Sequence, residues 1–398
     1  MKNRNIIVIG AGASGMLAAI MAACAGASVT ILEQNDKVGK KLAATGNGRC
    51  NLTNRNMGIL QFCTDTPEVV SGILEKFSQK DTMEFFESIG VRLTDREGYV
   101  YPRTGQAQTV INALEQALRK QKVKLKTKEK VIRMIPPGKN LLWQVITTGW
   151  RYEADAVIWA GGSCASGIAG ADGSGYEIVK DLGIRVTKVL PALVPLKAKG
   201  NQSFGWAGTR TRGKVALYVD NRKILEEQGE IQLTENGISG IPVFQISRYA
   251  SRALSEQKEV VVKVDFIPEM TEQQWMEYLD EHRNGVFSLS KEQLLQGIFP
   301  DRLLKVLFAQ KDPVKAAKEF IIPIDKTGDM GQAQICTGGI PFAEVDPLTL
   351  ESIRCPGLYF CGEILDVDGK CGGYNLQWAW SSGAVAGRSA SLIDKRRY

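Results

Sequence analysis

One histidine in 398 residues, His282, removes most imidazole-based chemistry from consideration. Paired-histidine zinc sites, facial triads and histidine-assisted serine or cysteine hydrolysis each need a positioned ring. The eight cysteines, at 24, 50, 63, 164, 336, 355, 361 and 371, include no C-x-x-C, so neither a zinc ribbon nor a thioredoxin-type dithiol is encoded and no metal is expected. That thiol usage fits a reducing, cytoplasmic setting. No internal repeat or low-complexity tract appears, so domains must be read from the order of elements. Charge is also missing from Ile6 to Leu32. With Met1-Lys2-Asn3-Arg4 before it and Met21-Ala22-Ala23-Cys24 inside it, the run imitates a lipoprotein leader. Glycines at 10, 12 and 15 break what should be a continuous apolar core, and the flanks are β-branched. The run therefore reads as a buried strand–helix–strand, with no membrane partner expected.

What is present is ordinary globular composition: 44% hydrophobic, 23% charged and 41 glycines, enough chain for two or three domains. The net charge of +7 permits an anionic partner without requiring one.

Ile6-Ile7-Val8-Ile9 reads as a buried parallel strand, and Gly10-Ala11-Gly12-Ala13-Ser14-Gly15 follows it directly into an alanine-rich helix. The first glycine allows the turn, the second lets amides such as those of Ala13 and Ser14 approach a pyrophosphate, and the third lets helix and strand pack closely. A second strand, Val29-Thr30-Ile31-Leu32, ends in Glu33, placed to accept hydrogen bonds from ribose hydroxyls. A dinucleotide site follows.

The C-terminal end selects FAD. Gly357 to Glu363 is a strand entering a glycine-acid turn at Gly362-Glu363, and Gly372-Gly373-Tyr374-Asn375 then opens a helix at about Leu376. A helix N-terminus facing the flavin's N1–C2 edge would stabilise the anionic reduced ring. Between the ends, Ala156 to Gly162 gives a third apolar strand closing on Gly161. The architecture expected is α/β: a Rossmann-like, two-dinucleotide-type FAD-binding domain in two parts, 1–190 and 331–398. Residues 191–330 form a β-rich, barrel-like insert carrying a helical subdomain. Pro191 and Pro195 mark its entrance, 213–220 and 258–266 read as strands, and 271–283 and 300–319 as helices.

The most distinctive stretch runs from Lys37 to Asn54 (KVGKKLAATGNGRCNLTN), and it has a counterpart in Gly372–Ser382 (GGYNLQWAWSS). Both closely resemble the signature blocks of the BaiN/RdsA (YhiN-like) FAD-dependent oxidoreductases, a family that also includes an aminoacetone oxidase. The resemblance spans almost the whole chain. It implies that Lys40, Lys41, Gly46, Arg49, Cys50 and Asn51 contact noncovalently held FAD, and that substrate lies between insert and flavin. The residues agree, since glycines expose amides and cations balance two phosphates. Cys50 is not half of a redox disulfide, because the next cysteine, Cys63, is thirteen residues on; it reads as a buried structural thiol. His282 reads as solvated and not as a covalent flavin link. Glu235, in Thr234-Glu235-Asn236-Gly237, stands where the family often has histidine, and reads as a capping or solvated carboxylate.

No second strand-borne G-x-G-x-x-G appears, and Gly170–Gly175 follows no clear strand. NADH or NADPH is thus expected only as a transient donor. The resemblance implies hydride transfer from flavin N5 to a conjugated C=C. A 3-oxo-Δ4 or Δ6 bile acid or its conjugate ranks first, ribosomal RNA uracil C5=C6 second, and an amine such as aminoacetone third. Tyr374 is the candidate proton donor, with a ring packed on FAD as the alternative. Lys120, Lys122, Lys124, Lys126, Lys128 and Lys130 would line one face of a strand, either as an RNA strip or as a protected edge. Arg210, Arg212, Lys214, Lys395, Arg396 and Arg397 add charge of the same ambiguous kind.

Overall fold

The computed structural model describes residues 3–138, 142–201 and 204–392; Lys395, Arg396 and Arg397 lie outside them. Two compact units emerge, Met1–Val189 with Ile335–Tyr398, and Leu190–Gln334. The chain therefore returns to the first unit at Ile335, where a short buried strand, Ile335–Thr337, begins.

The first unit is built on a five-stranded sheet with β1 (Asn5–Ile9) at its centre. After β1 the chain passes through α1 (Ala13–Cys24) to β2 (Ser28–Glu33), which lies parallel to β1 with Val8 opposite Ile31. On the other side β1 pairs in parallel with Ala156–Trp159, and that strand with Leu358–Phe360. The expected strand–helix–strand is thus buried on both faces, as its unbroken apolar runs require. Ile6 and Val8 face α1 and the helix Tyr374–Ser391, whereas Ile7 and Ile9 face a second cluster with Trp143, Trp159 and Phe360. Among the described residues no helix is long and apolar enough to cross a membrane.

Strand Lys124–Thr127 pairs with β2 at the sheet edge and holds only two of the six alternating lysines. Lys120 ends a helix, Lys122 and Lys128 take left-handed φ of 57° and 60°, and Lys130 pairs with Asp172 at 2.7 Å. The lysines do not share one face, because the alternation outruns the residues that have a strand to pair with.

The second unit is a closed six-stranded barrel in the order Leu196–Ala198, Gly237–Ser239, Arg222–Thr234, Thr209–Val219, Val260–Asp265 and Phe320–Thr327. Helix Ile241–Ser255 packs Val243, Ile246 and Ala250 into the barrel core. The expected helix at 300–319 is two helices, Asp301–Phe308 and Pro313–Lys318. Pro313 lacks the amide to continue the first, and Asp312 caps the second through its side chain. Arg210 and Lys214 face Glu230 and Glu226 on the neighbouring strand, at 2.9 and 3.7 Å, so that basic stretch is locally neutralised.

One crossing sets the position of α1. The C-terminal helix Tyr374–Ser391 meets it backbone to backbone, and a Cβ at Gly383 or Gly387 would lie 2.5 Å from the Ser14 carbonyl oxygen or 2.3 Å from that of Ala18. Gly387→Ala gains about 1 kcal/mol of helix propensity, yet should destabilise the first unit by about 1–3 kcal/mol through overpacking against a backbone that cannot yield. Urea unfolding followed by tryptophan fluorescence reads the sign.

Candidate functional site

Gly10 leaves β1 at φ 97°, with a Cβ position only 2.5 Å from the Ala160 carbonyl oxygen; Gly15 comes within 2.0 Å of Gly10's own carbonyl oxygen by the same measure. These two close approaches hold the turn flat against the neighbouring strand. Gly12 differs, since nothing lies within 4 Å of its Cβ position. It caps α1 with no side-chain hydrogen bond, and the first turn holds no acid. The amides there, Ala13 and Ser14 among them, form an open, partly positive helix end suited to an anion.

Glu33, 7% exposed, folds back on this turn. Its Oε2 accepts from the Ala11 amide and its Oε1 from the backbone and side-chain nitrogens of Asn35, each at 2.8 Å. The carboxylate therefore holds the turn as well as ending β2.

The segment after β2 adds cations. The short helix α2 (Lys40–Ala44) places Lys41 on Glu363 at 2.5 Å, joining two predicted site residues from opposite ends of the chain. Lys40 pairs instead with Asp36 at 2.8 Å. Then Gly46, Asn47, Gly48 and Cys50 all take positive φ, a tight loop that leaves Gly46 and Arg49 exposed. Among the described residues Arg49 has no ion-pair partner. Cys50 points inward, and burial pushes its thiol up to about 12; Cys361 beside Gly362 is likewise pushed up to about 12 by burial. Both remain protonated and inert at neutral pH.

The two signature blocks hold each other. The Asn51 amide, with its nitrogen toward the Thr53 and Val100 carbonyls, accepts at its oxygen from the Gly373 amide at 3.2 Å. Asn54 Nδ2 donates to the Gly372 carbonyl at 2.9 Å, and the Thr53 hydroxyl to Gln377 Oε1 at 2.6 Å. Trp380 Nε1 donates to the Leu52 carbonyl and Trp378 Nε1 to that of Gly362, at 3.0 and 3.1 Å. Gly373 takes φ 92°, and a Cβ there would lie 2.7 Å from the Thr53 carbonyl. Sequence reading missed Thr53, Asn54, Gln377, Trp378 and Trp380 as fasteners; the only signal was polar and indole side chains at spacings with no surface periodicity.

Of the remaining predicted residues, Gly161 sits at the end of Ala156–Trp159, against the Trp159 indole. Tyr374 is 7% exposed, edge-on to Phe62, with its hydroxyl 3.5 Å from the Asn56 carbonyl oxygen; burial raises its pKa. Asn375 is occupied with the backbone of Gly369 and Lys370, and Leu376 packs on the core. Glu235 is exposed in the turn between Arg222–Thr234 and Gly237–Ser239, and Gly240, not Glu235, precedes the next helix, so its capping role falls. His282 is exposed and lies over Tyr278 at the end of its helix. Asp172 in the Gly170–Gly175 stretch accepts from the Ser174 amide and hydroxyl at the start of helix Ser174–Asp181.

Over residues 4–389 the sequence matches the family described as HI0933-like protein Rossmann domain. The chain belongs to this family. A relative named 3-dehydro-bile acid delta(4,6)-reductase, from Clostridium scindens, is 43% identical across 96% of this chain and 98% of that protein. A ribosomal RNA dihydrouridine synthase from Haemophilus influenzae is 29% identical across 97% and 98%. The family's Rossmann unit with a β-rich insertion also recurs in two solved steroid enzymes. The 3-ketosteroid-Δ4-(5α)-dehydrogenase of Rhodococcus jostii superposes with TM-score 0.52 at 15% identity, over 98% of this chain and 97% of that one. The 3-ketosteroid Δ1-dehydrogenase of Sterolibacterium denitrificans gives 0.53 at 13%, over 98% and 100%. At such identities the likeness is one of fold.

Glu33→Gln tests the turn directly. Three donors converge on two carboxylate oxygens, and an amide offers only one acceptor, so a buried N–H would face an N–H. Destabilisation of about 1–3 kcal/mol is expected in urea unfolding of the cofactor-free protein.

Proposed function

We propose that the protein is an FAD-dependent, NAD(P)H-linked oxidoreductase acting on CH–CH groups, with a conjugated 3-oxo-Δ4 or Δ6 bile acid as substrate. The observation that carries the reading is full-length 43% identity to the bile-acid reductase, with an open, uncapped helix end at Gly12 where such a cofactor needs one. The residues present fit FAD. The α1 amides at Gly12, Ala13 and Ser14 would hold the pyrophosphate, and Glu33 the ribose hydroxyls once it exchanges the Ala11 amide for them. Arg49, without an ion-pair partner among the described residues, would balance phosphate charge. Lys41 and Glu363, paired at 2.5 Å, would fix the loop over the cofactor, and the helix end at Gly373 bears no side-chain cap and no first-turn acid. When bound, the flavin supplies two-electron hydride transfer to the β-carbon of an unsaturated ketone.

The chain's own contribution is placement and charge. The uncapped amides of α1 and of the C-terminal helix offer preorganised partial positive charge, which costs no reorganisation when negative charge develops. Tyr374 keeps its proton at neutral pH, but its hydroxyl is turned toward Asn56 and its ring packs on Phe62, an arrangement that favours support of the helix end over proton donation. With the lysines divided between a helix end, turns and one short strand, ribosomal RNA stands second.

Anaerobic reduction with NADH or NADPH, followed by addition of a 3-oxo-Δ4 bile acid or of unmodified ribosomal RNA, decides between them. Rapid flavin reoxidation by the steroid alone is expected; reoxidation only by RNA, with new dihydrouridine, would replace the steroid reading. In the same assay Tyr374→Phe should lose less than about tenfold of turnover, against the 10²–10⁴-fold loss typical of a proton donor.

A further inference from the structure

Two cysteines far apart in sequence meet in the first unit. Cys164 Sγ lies 3.7 Å from Cys336 Sγ across 172 residues, which leaves less than about 2 Å to close to a bonded S–S distance. Cys336 belongs to the buried strand Ile335–Thr337 and is itself 2% exposed, whereas Cys164 is half-buried on the loop that follows Gly161-Gly162. The pair is therefore asymmetric, with Cys164 on a half-buried loop and Cys336 within a buried strand.

We propose that Cys164 and Cys336 form a redox-sensitive dithiol, oxidised by small hydroperoxides to a disulfide, with Cys164 as the attacking sulfur and Cys336 as the resolving one.

The surroundings assign those roles. The Cys336 thiol donates toward Cys164, which together with a backbone hydrogen bond and the Lys41 cation brings the Cys164 thiol down to about 7, against the opposing effects of burial and the Glu363 carboxylate. Cys336 is held firmly protonated by that hydrogen bond, by burial and by Glu363, with Tyr176 and Asp366 close by and Tyr176 itself kept neutral by burial. Near neutrality Cys164 is therefore partly thiolate while Cys336 stays a thiol. The Cys164 thiolate attacks a peroxide oxygen and the O–O bond breaks. The leaving hydroxide takes a proton to become water, and Cys164 becomes a sulfenic acid. The Cys336 sulfur then attacks the Cys164 sulfur; hydroxide leaves as a second water, taking the Cys336 proton. Two thiols are oxidised to one disulfide and one hydrogen peroxide is reduced to two waters. The bond would form at a residue whose amide donates to Glu363 Oε1 at 3.0 Å, while Glu363 Oε2 holds Lys41. Oxidation is thereby coupled through one hydrogen bond to the ion pair over the candidate cofactor loop.

The test uses the full-length protein with whatever cofactor it carries, treated with hydrogen peroxide and mapped by non-reducing peptide mass spectrometry. A Cys164–Cys336 cross-link is expected as the main cysteine product, reversed by dithiothreitol. In Cys336→Ser, dimedone should trap a sulfenic acid at Cys164. In Cys336→Ala, iodoacetamide labelling of Cys164 at pH 7 should slow about fivefold as the thiol donor is lost, the gain in nucleophilicity offsetting part of the lost thiolate. Oxidation of Cys24 or Cys63 without the 164–336 cross-link, or sulfinic acid at Cys164 with Cys336 intact, would overturn the proposal. The wild-type map decides even if a variant misfolds. No steroid or turnover enters these readouts, so their failure is distinct from failure of the proposed function.

Discussion

Backbone-to-backbone contact around α1 is the constraint on which the first unit depends. Gly10 and Gly15 press the start of the helix against β1 and Ala160, and Gly383 and Gly387 press the C-terminal helix against Ser14 and Ala18. Side chains at these positions would separate layers that meet at carbonyl oxygens. The gain is positional: an uncapped helix end held by peptide groups, which do not change rotamer, presents its amides in a fixed direction. Gly12, where a side chain would meet nothing within 4 Å, is the exception that leaves that helix end open.

The second organising contact is between the two signature blocks. Asn51, Thr53 and Asn54 hydrogen-bond to Gly373, Gln377 and Gly372 across more than 300 residues of sequence, and Trp380 closes on Leu52. Several residues that look like cofactor ligands because they are polar, glycine-rich and clustered are occupied with one another. Their polarity is explained by burial: polar groups taken out of water need partners, and here each block supplies the other's. The groups left over are Arg49, without an ion-pair partner among the described residues, and the two helix ends, and these carry the case for an anionic dinucleotide.

Legibility from sequence followed the range of the interactions. The strand–helix–strand of residues 5–33 was readable because the glycine spacing and apolar runs are local signals for a parallel sheet buried on both faces. The barrel was only half readable. Strand Val260–Asp265 alternates buried and half-buried residues, but Arg222–Thr234 buries only Ile231 and Leu233 and carries no apolar period over its first half, so the longest strand was not legible. The lysine alternation was legible only in part: Lys124 and Lys126 are exposed on an edge strand, as the protected-edge reading has it, but only Lys124–Thr127 finds a neighbour to pair with. Glu235 turned out to be an exposed turn residue because the chain reverses there into Gly237–Ser239.

By itself the sequence determined the Rossmann start, the family and the two-part first unit, since motif spacing and the order of elements carry these. Tertiary structure alone decided which polar residues are fasteners, that Lys41 meets Glu363 while Lys40 meets Asp36, and that Cys164 faces Cys336. Those pairings join residues up to about 320 positions apart. No local period encodes them, because they arise only when sheet order and helix crossing have brought distant segments within bonding distance.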